Sequence, residues 1–361
     1  MGNKKRKMVD KKIAATWIII IILSILLSGC MRRSYVNWEY FKIDESKNKL
    51  AVIIKNGGIY DTPEITSRLE DFLESVKNDL GVENIGICYT NASSLDELDQ
   101  FIEKLYHEKD MGYAILIGKE LFLKDNVTST SVWDKLHYIK EKEPSSLPFP
   151  HPRYYYDIAI SWLIAPASYS DEEKISFMSK VISTYTYYHN NAKEVLEQFN
   201  DSCLYISYYS SFLDLHYDLE MIKLRYNEGF KIEKELKRHH KVLFISTHGI
   251  DNLIEMSVAN YSGDNFFSAE EYVKFVEENG LPALFVEEYH CGNRWVTQHI
   301  GCGVWALFST DWSILEERGQ LPPCGGGLLR RGLTEEPFLG YIIRHHLIEV
   351  FVYGDVTAHM I

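Results

Sequence analysis

Unbroken apolar runs separated by amphipathic helical segments predict an α/β protein with mostly parallel sheets flanked by helices. Leu50–Ile54, Tyr113–Gly118 and Val242–Ser246 are such runs, the mark of strands buried on both faces. Between them lies helical spacing, as in Pro63–Leu80, where Ile65, Leu69, Phe72, Leu73 and Val76 share one face. The composition agrees, since 361 residues with 46% hydrophobic and 25% charged side chains can bury a large core.

Taken in order, Leu50–Ile54 ends at the turn Asn56-Gly57-Gly58 and leads into the Pro63–Leu80 helix. Ile85–Tyr89 is a second strand, and Ser94-Leu95-Asp96-Glu97 opens another helix with the spacing of a capping box. Tyr113–Gly118 is the third strand. From about 126 to 153 the pattern dissolves into Ser, Lys, Glu and Pro, a long loop of the kind that often carries function. Asp157–Leu163 is a strand, Asp171–His189 a helix, and helical patterns fill about 213–238. A second block then sets out strands Val242–Ser246, Ala283–Glu287 and Gly303–Ser309, with a helix over Ser268–Glu278. Strand–helix–strand succession implies parallel pairing. The chain therefore divides into two α/β halves with a boundary between 190 and 240, drawn here as 48–235 and 236–361.

The N-terminus reads as an address. Lys4, Lys5, Arg6, Lys7, Lys11 and Lys12 precede an apolar run from Ile13 to Leu27, the pattern of a secretory signal. The run stops at Leu27-Ser28-Gly29-Cys30, which resembles a bacterial lipobox. That resemblance implies a signal peptide over 1–29, lipidation of Cys30, a tether over 30–47, and an exported chain anchored to a bacterial membrane. The alternative is an uncleaved anchor helix with Cys30 as a bystander. Removing the signal takes the formal charge from −13 to −18, so the lipid rather than surface charge would hold the protein at an anionic membrane. The same acidity argues against nucleic acid as a partner.

Two strand ends carry chemistry. Val242–Thr247 runs into His248-Gly249, and Leu284–His290 runs into Cys291-Gly292. Reacting groups in open α/β sheets gather at the carboxyl ends of strands. On adjacent strands, an imidazole would take the proton of a thiol nucleophile and later protonate a leaving amine. Glycine beside each residue lets the backbone turn so that an N–H can face an oxyanion.

This pairing resembles the caspase-like clan of cysteine peptidases, and the order of further segments resembles its gingipain-type branch. Those segments are Leu50–Ile54, Ala114–Gly118, Asp157–Ile160, Ser179–Tyr185, Gly303–Thr310 and Tyr353-Gly354-Asp355. The resemblance spans about residues 48–357 and implies a caspase-like fold and cysteine endopeptidase activity on peptides or proteins. The residues themselves point to no cofactor and no metal site. Carried over by position, His248 is the catalytic histidine and Cys291 the nucleophile, with the N–H groups of Gly249 and Cys291 as oxyanion hole. Ser309, Thr310, Asp311 and Trp312 would help line the pocket for the residue before the cut. Asp311 and Trp312 would suit a basic side chain there, but Asp311 is better read as the cap of a helix starting near Ser313.

The sequence also departs from the family pattern. Only eleven residues separate Cys291 from Gly303, where the family carries a helix that braces the nucleophile. This motivates a second reading, a catalytically inactive relative that binds peptide or a surface partner. Several other features read as structural. His290 beside Cys291, with Glu287 and Glu288, does not converge on a metal, because neighbouring strand residues face opposite ways. Cys88, Cys203, Cys302 and Cys324 read as packing thiols. The tyrosines around 154, 187 and 208 read as packing and surface contacts, and His239-His240 and His345-His346 as exposed helical residues. Asn56-Gly57-Gly58 and Gly325-Gly326-Gly327 lack the continuation of a phosphate-binding loop.

Overall fold

The computed structural model describes residues 44–118, 158–208, 219–250, 253–261, 265–289, 295–310, 338–345 and 351–359. The signal segment, Cys30, the 126–153 loop, Asp157, Cys324 and the Gly325–Gly327 run lie outside them.

The first four strands are β1 (Lys49–Lys55), β2 (Asn84–Thr90), β3 (Met111–Ile117) and β4 (Ala159–Leu163). Helices α1 (Pro63–Leu80) and α2 (Leu95–Lys109) connect the first three strands. Pro63 occupies the first turn of α1, and Thr62 accepts from the Ile65 N–H, so the start of this helix follows from its sequence. At α2 the capping box is displaced by one residue. Ser94 accepts from the Glu97 N–H at 3.3 Å, but the Glu97 carboxylate accepts from the N–H of Ser93 rather than Ser94, at 2.7 Å.

Helices α3 (Asp171–Asn190) and α4 (Ala192–Glu197) lead to β5 (Asn200–Ser207) and β6 (Glu220–Arg225). Helix α5 (Gly229–Leu236) precedes β7 (His240–Ser246). Three short strands, β8 (Gly249–Ile250), β9 (Leu253–Ile254) and β10 (Phe267–Ser268), form a separate antiparallel ribbon. Then come α6 (Ala269–Asn279), β11 (Ala283–Tyr289), α7 (Val296–Cys302), β12 (Ala306–Thr310), α8 (Leu339–His345) and β13 (Phe351–Gly354).

Ten strands form one mixed sheet in the order β2-β1-β3-β4-β13-β12-β11-β7-β5-β6. Every adjacent pair is parallel except β12 with β13, so the strands on the two sides of that seam run in opposite directions. The sheet thus separates β1–β4 from β5–β7, β11 and β12, and β5 and β6 lie on the β7 side although they precede residue 235. Leu50–Ile54 and Met111–Ile117 are almost wholly buried. Each large aliphatic side chain in them contributes about 1.5–3 kcal/mol of transfer free energy.

Four expectations are corrected. The 213–238 region holds a strand, β6, as well as α5. As an edge strand with one partner, β6 shows neither a clean alternation nor an apolar run. The central strand β5 begins with the polar Asn200-Asp201-Ser202, which hides it from a hydrophobicity pattern. His240 is not an exposed helical residue. It begins β7 fully buried, its Nε2–H donating to the Glu235 carbonyl at 2.9 Å and its Nδ1 accepting from Ser202 Oγ at 2.7 Å. Lastly, the interval between Cys291 and the next strand does contain a helix, α7. It is shortened, and Gly303, at φ 106° in the left-handed region, caps it. This cap delays β12, which starts at Ala306 rather than Gly303.

Candidate functional site at a sheet edge

The parallel registers of β12, β11, β7, β5 and β6 bring their carboxyl ends to one level. Tyr289 pairs with Thr310 on one side and Ser246 on the other, Ser246 pairs with Ser207, and Ser207 with Arg225. The residue after each strand end therefore emerges along a single edge. Such an edge holds free backbone groups and room for side chains, which is why function concentrates there.

His248 stands on this edge and is exposed. Its backbone is pinned, since its carbonyl accepts from the Glu255 N–H at 2.8 Å and from Thr247 Oγ1 at 3.3 Å. The Glu255 bond also defines the ladder between β8 and β9. Gly249 pairs with Ile254, and a bond from Glu255 to His248 makes that pair the non-hydrogen-bonded kind. The Gly249 N–H is thus not used in the ladder, as an oxyanion donor requires. On the side of His248 away from β11, the Tyr208 ring meets the imidazole edge to face with centroids 4.5 Å apart. Tyr208 in turn stacks on Tyr226 at 4.9 Å and 30°. Tyr208 was expected only to pack or sit at the surface, and its contact with His248 became visible only once β5 was placed beside β7.

Cys291 and its neighbours His290 and Gly292 lie outside the described residues, but both flanks of that segment are ordered by packing. Glu288, near the end of β11, and His299, on α7, are both fully buried, and His299 Nε2–H donates to Glu288 Oε1 at 2.7 Å. The His299 ring packs edge to face on Tyr272 at 4.4 Å, and Trp295 is buried beside them. This pair fastens the strand before Cys291 to the helix after it. No sequence signal pointed to it, because the partners are close only after α7 folds back onto the sheet.

The other described cysteines are free, and burial raises the pKa of each thiol. Cys302 is pushed up to about 11. At neutral pH they remain thiols and are poor nucleophiles. Of the expected pocket residues, the backbones of Ser309 and Thr310 end β12 at the common edge, while Asp311 and Trp312 lie outside the described residues. No described helix is long and apolar enough to cross a membrane.

A second histidine cluster sits elsewhere. His189 of α3 bridges two carboxylates, Asp79 Oδ2 at 2.7 Å through Nδ1–H and Asp355 Oδ2 at 2.8 Å through Nε2–H. Asp355 also accepts from Trp305 Nε1–H at 2.9 Å and from the Thr357 N–H at 2.8 Å. Burial alone would lower the His189 pKa, but the Asp355 and Asp79 carboxylates carry it up to about 9. The ring is therefore a buried imidazolium, and both its protons are already committed.

The ten-stranded mixed sheet, with eight helices among the described residues, has a gingipain-like, caspase-like fold, as its structural neighbours show. No protein-family model and no curated protein matches the sequence. Among solved structures, the Arg-specific cysteine proteinase gingipain R superposes with a TM-score of 0.51 at 13% identity, over 89% of this chain and 80% of that one. A structure described as a protease superposes with a TM-score of 0.54 at 10% identity, again over 89% and 80% of the two chains. At such identities the likeness is one of fold.

Proposed function

We propose that this protein is an exported cysteine endopeptidase, tethered to a bacterial membrane through a lipidated Cys30. Cys291 attacks the scissile carbonyl, and its S–H proton passes to His248. The tetrahedral oxyanion is held by the N–H groups of Gly249 and Cys291. Collapse of that intermediate breaks the C–N bond as the imidazolium returns its proton to the leaving amine. Water, deprotonated by His248, then hydrolyses the thioester and regenerates the thiol.

One observation carries this reading. β7 and β11 are adjacent, parallel and paired Ser246 with Tyr289, and His248 and Cys291 each follow that pair by two residues. Two residues reach at most about 7 Å, which supports a reading in which the thiol and the imidazole share one edge. The Gly249 N–H, which the β8–β9 ladder does not use, and the raised thiol pKa values elsewhere support the same assignment. Substrate is a peptide or protein.

The second reading, an inactive peptide binder, drew on a missing helix behind the nucleophile. α7 occupies that place in shortened form, and the buried Glu288–His299 pair secures it. The deciding experiment treats the chain lacking residues 1–30 with a peptidyl acyloxymethyl ketone under reducing conditions. Covalent labelling should be lost in Cys291→Ala and kept in Cys302→Ala. The reverse pattern contradicts the assignment, and a folded chain that binds peptide without labelling or turnover favours the binder. Fatty-acid incorporation that disappears in Cys30→Ala tests the anchor separately.

A further inference from the structure

The edge continues past His248 into an aromatic shelf whose position assigns it a role. Tyr208 follows the end of β5 and Tyr226 the end of β6, and these strands lie successively farther from β11. The rings are stacked, Tyr208 touches His248, and 39% of Tyr208 is exposed although it is a large ring. Four residues beyond Tyr226, Phe230 on the first turn of α5 is 78% exposed. A stacked pair of rings, the exposed Tyr208 on the half-buried Tyr226, at one strand edge is the kind of apolar surface that marks a binding site.

The chemistry tells which part of a substrate would reach it. In acyl transfer from an amide to a thiol, the histidine must approach the leaving nitrogen to protonate it. The acyl half then lies toward the nucleophile and β12, and the leaving half lies past the imidazole. On this chain, the rings beyond the imidazole are those of Tyr208 and Tyr226. We propose that these two tyrosines form the subsite for the substrate residue immediately after the cut, and that they select a large apolar or aromatic side chain there. This rests on the peptidase reading above and goes beyond it in naming a specificity on the leaving-group side. Burial of such a side chain against two rings gains contact area and offset aromatic stacking, which a glycine cannot offer.

The test uses two peptides with the same acyl half, carrying Phe or Gly after the cut, and the full chain beside Tyr208→Ala, Tyr226→Ala and Tyr208→Phe. The unsubstituted protein should favour the Phe peptide by about tenfold in kcat/KM, the scale expected for filling an apolar subsite. Each alanine variant should reduce that ratio to about twofold or less, and Tyr208→Phe should preserve it. The acyl-enzyme made from a small ester should likewise partition to phenylalanine amide over glycine amide, with the same dependence on both tyrosines. Acyloxymethyl ketones carry no residue after the cut, so their labelling rate should not change. Labelling that persists while the Phe-to-Gly ratio is the same in all variants overturns the subsite. Labelling and turnover that fall together at an unchanged ratio also overturn it, leaving Tyr208 a support for the imidazole. If the unsubstituted chain is neither labelled nor active, the peptidase reading fails and the subsite fails with it.

Discussion

His189 and His248 are the same residue type at opposite extremes of commitment. Both ring nitrogens of His189 donate to carboxylates, the half-buried Asp79 and the buried Asp355, and the ring joins three parts of the chain: α1 through Asp79, α3, and the segment after β13 through Asp355. His248 is held by its backbone instead, through Glu255 and Thr247, and its exposed ring is touched on one side by Tyr208. A ring whose protons are locked into ion pairs stabilises structure, whereas His248 is fixed through its backbone and presents its ring at the sheet edge. The pKa carried up to about 9 belongs to His189, a ring whose protons are committed to structure, so a perturbed titration does not by itself mark a functional histidine.

The contrast can be broken by substitution. His248→Ala should lower kcat/KM by about 10²–10⁴-fold while leaving the melting temperature within about a degree, because an exposed ring supports little structure. Steady-state kinetics beside thermal denaturation checks both halves. His189→Ala should behave oppositely, costing about 3–5 kcal/mol because it leaves two carboxylates facing an emptied site. Chemical denaturation measures that loss, and active-site titration should show unchanged turnover per folded molecule.

The pH dependence sharpens the same point. The folded pKa of His189, about 9, lies above its unfolded value, so its stabilisation is complete below about pH 6.5 and is lost as pH rises through about 9. Between pH 7 and 10 the protein should lose up to about 3 kcal/mol through this group, and His189→Ala should lack that component. Denaturation midpoints across that range decide it. The smallest effect belongs to Cys302→Ala. With its thiol pushed up to about 11, this residue should leave labelling and turnover within about twofold of the unsubstituted chain.

How much was legible varied with local chemistry. Pro63–Leu80 is the same helix in sequence and structure, because a proline start, a threonine cap and a clear apolar face agree. Val242–Ser246 and Ala283–Glu287 were visible as buried strands for the reason that put their ends at a candidate site, a continuous apolar run flanked on both sides by parallel neighbours. β6 and β5 were not, one being an edge and the other opening on polar residues. Tyr353-Gly354-Asp355 was read as part of a family pattern, but the use of Asp355 appeared only with its partner 166 residues away. Gly354 itself has φ 94°, and a Cβ there would stand 2.6 Å from the Trp305 carbonyl, so no other residue fits.

By itself, the sequence determined which segments are strands buried on both faces, where most helices begin, and that His248 and Cys291 each follow such a strand. Those are local properties, set by side-chain periodicity, caps and turns within a few residues. Only the tertiary structure decided that β7 and β11 are neighbours in register, that the sheet reverses direction at β13, and that Tyr208 meets His248. Strand order depends on which apolar faces find one another after the chain crosses over, and a register of two residues decides whether two side chains share an edge. That information resides in packing between distant segments, and no local pattern carries it.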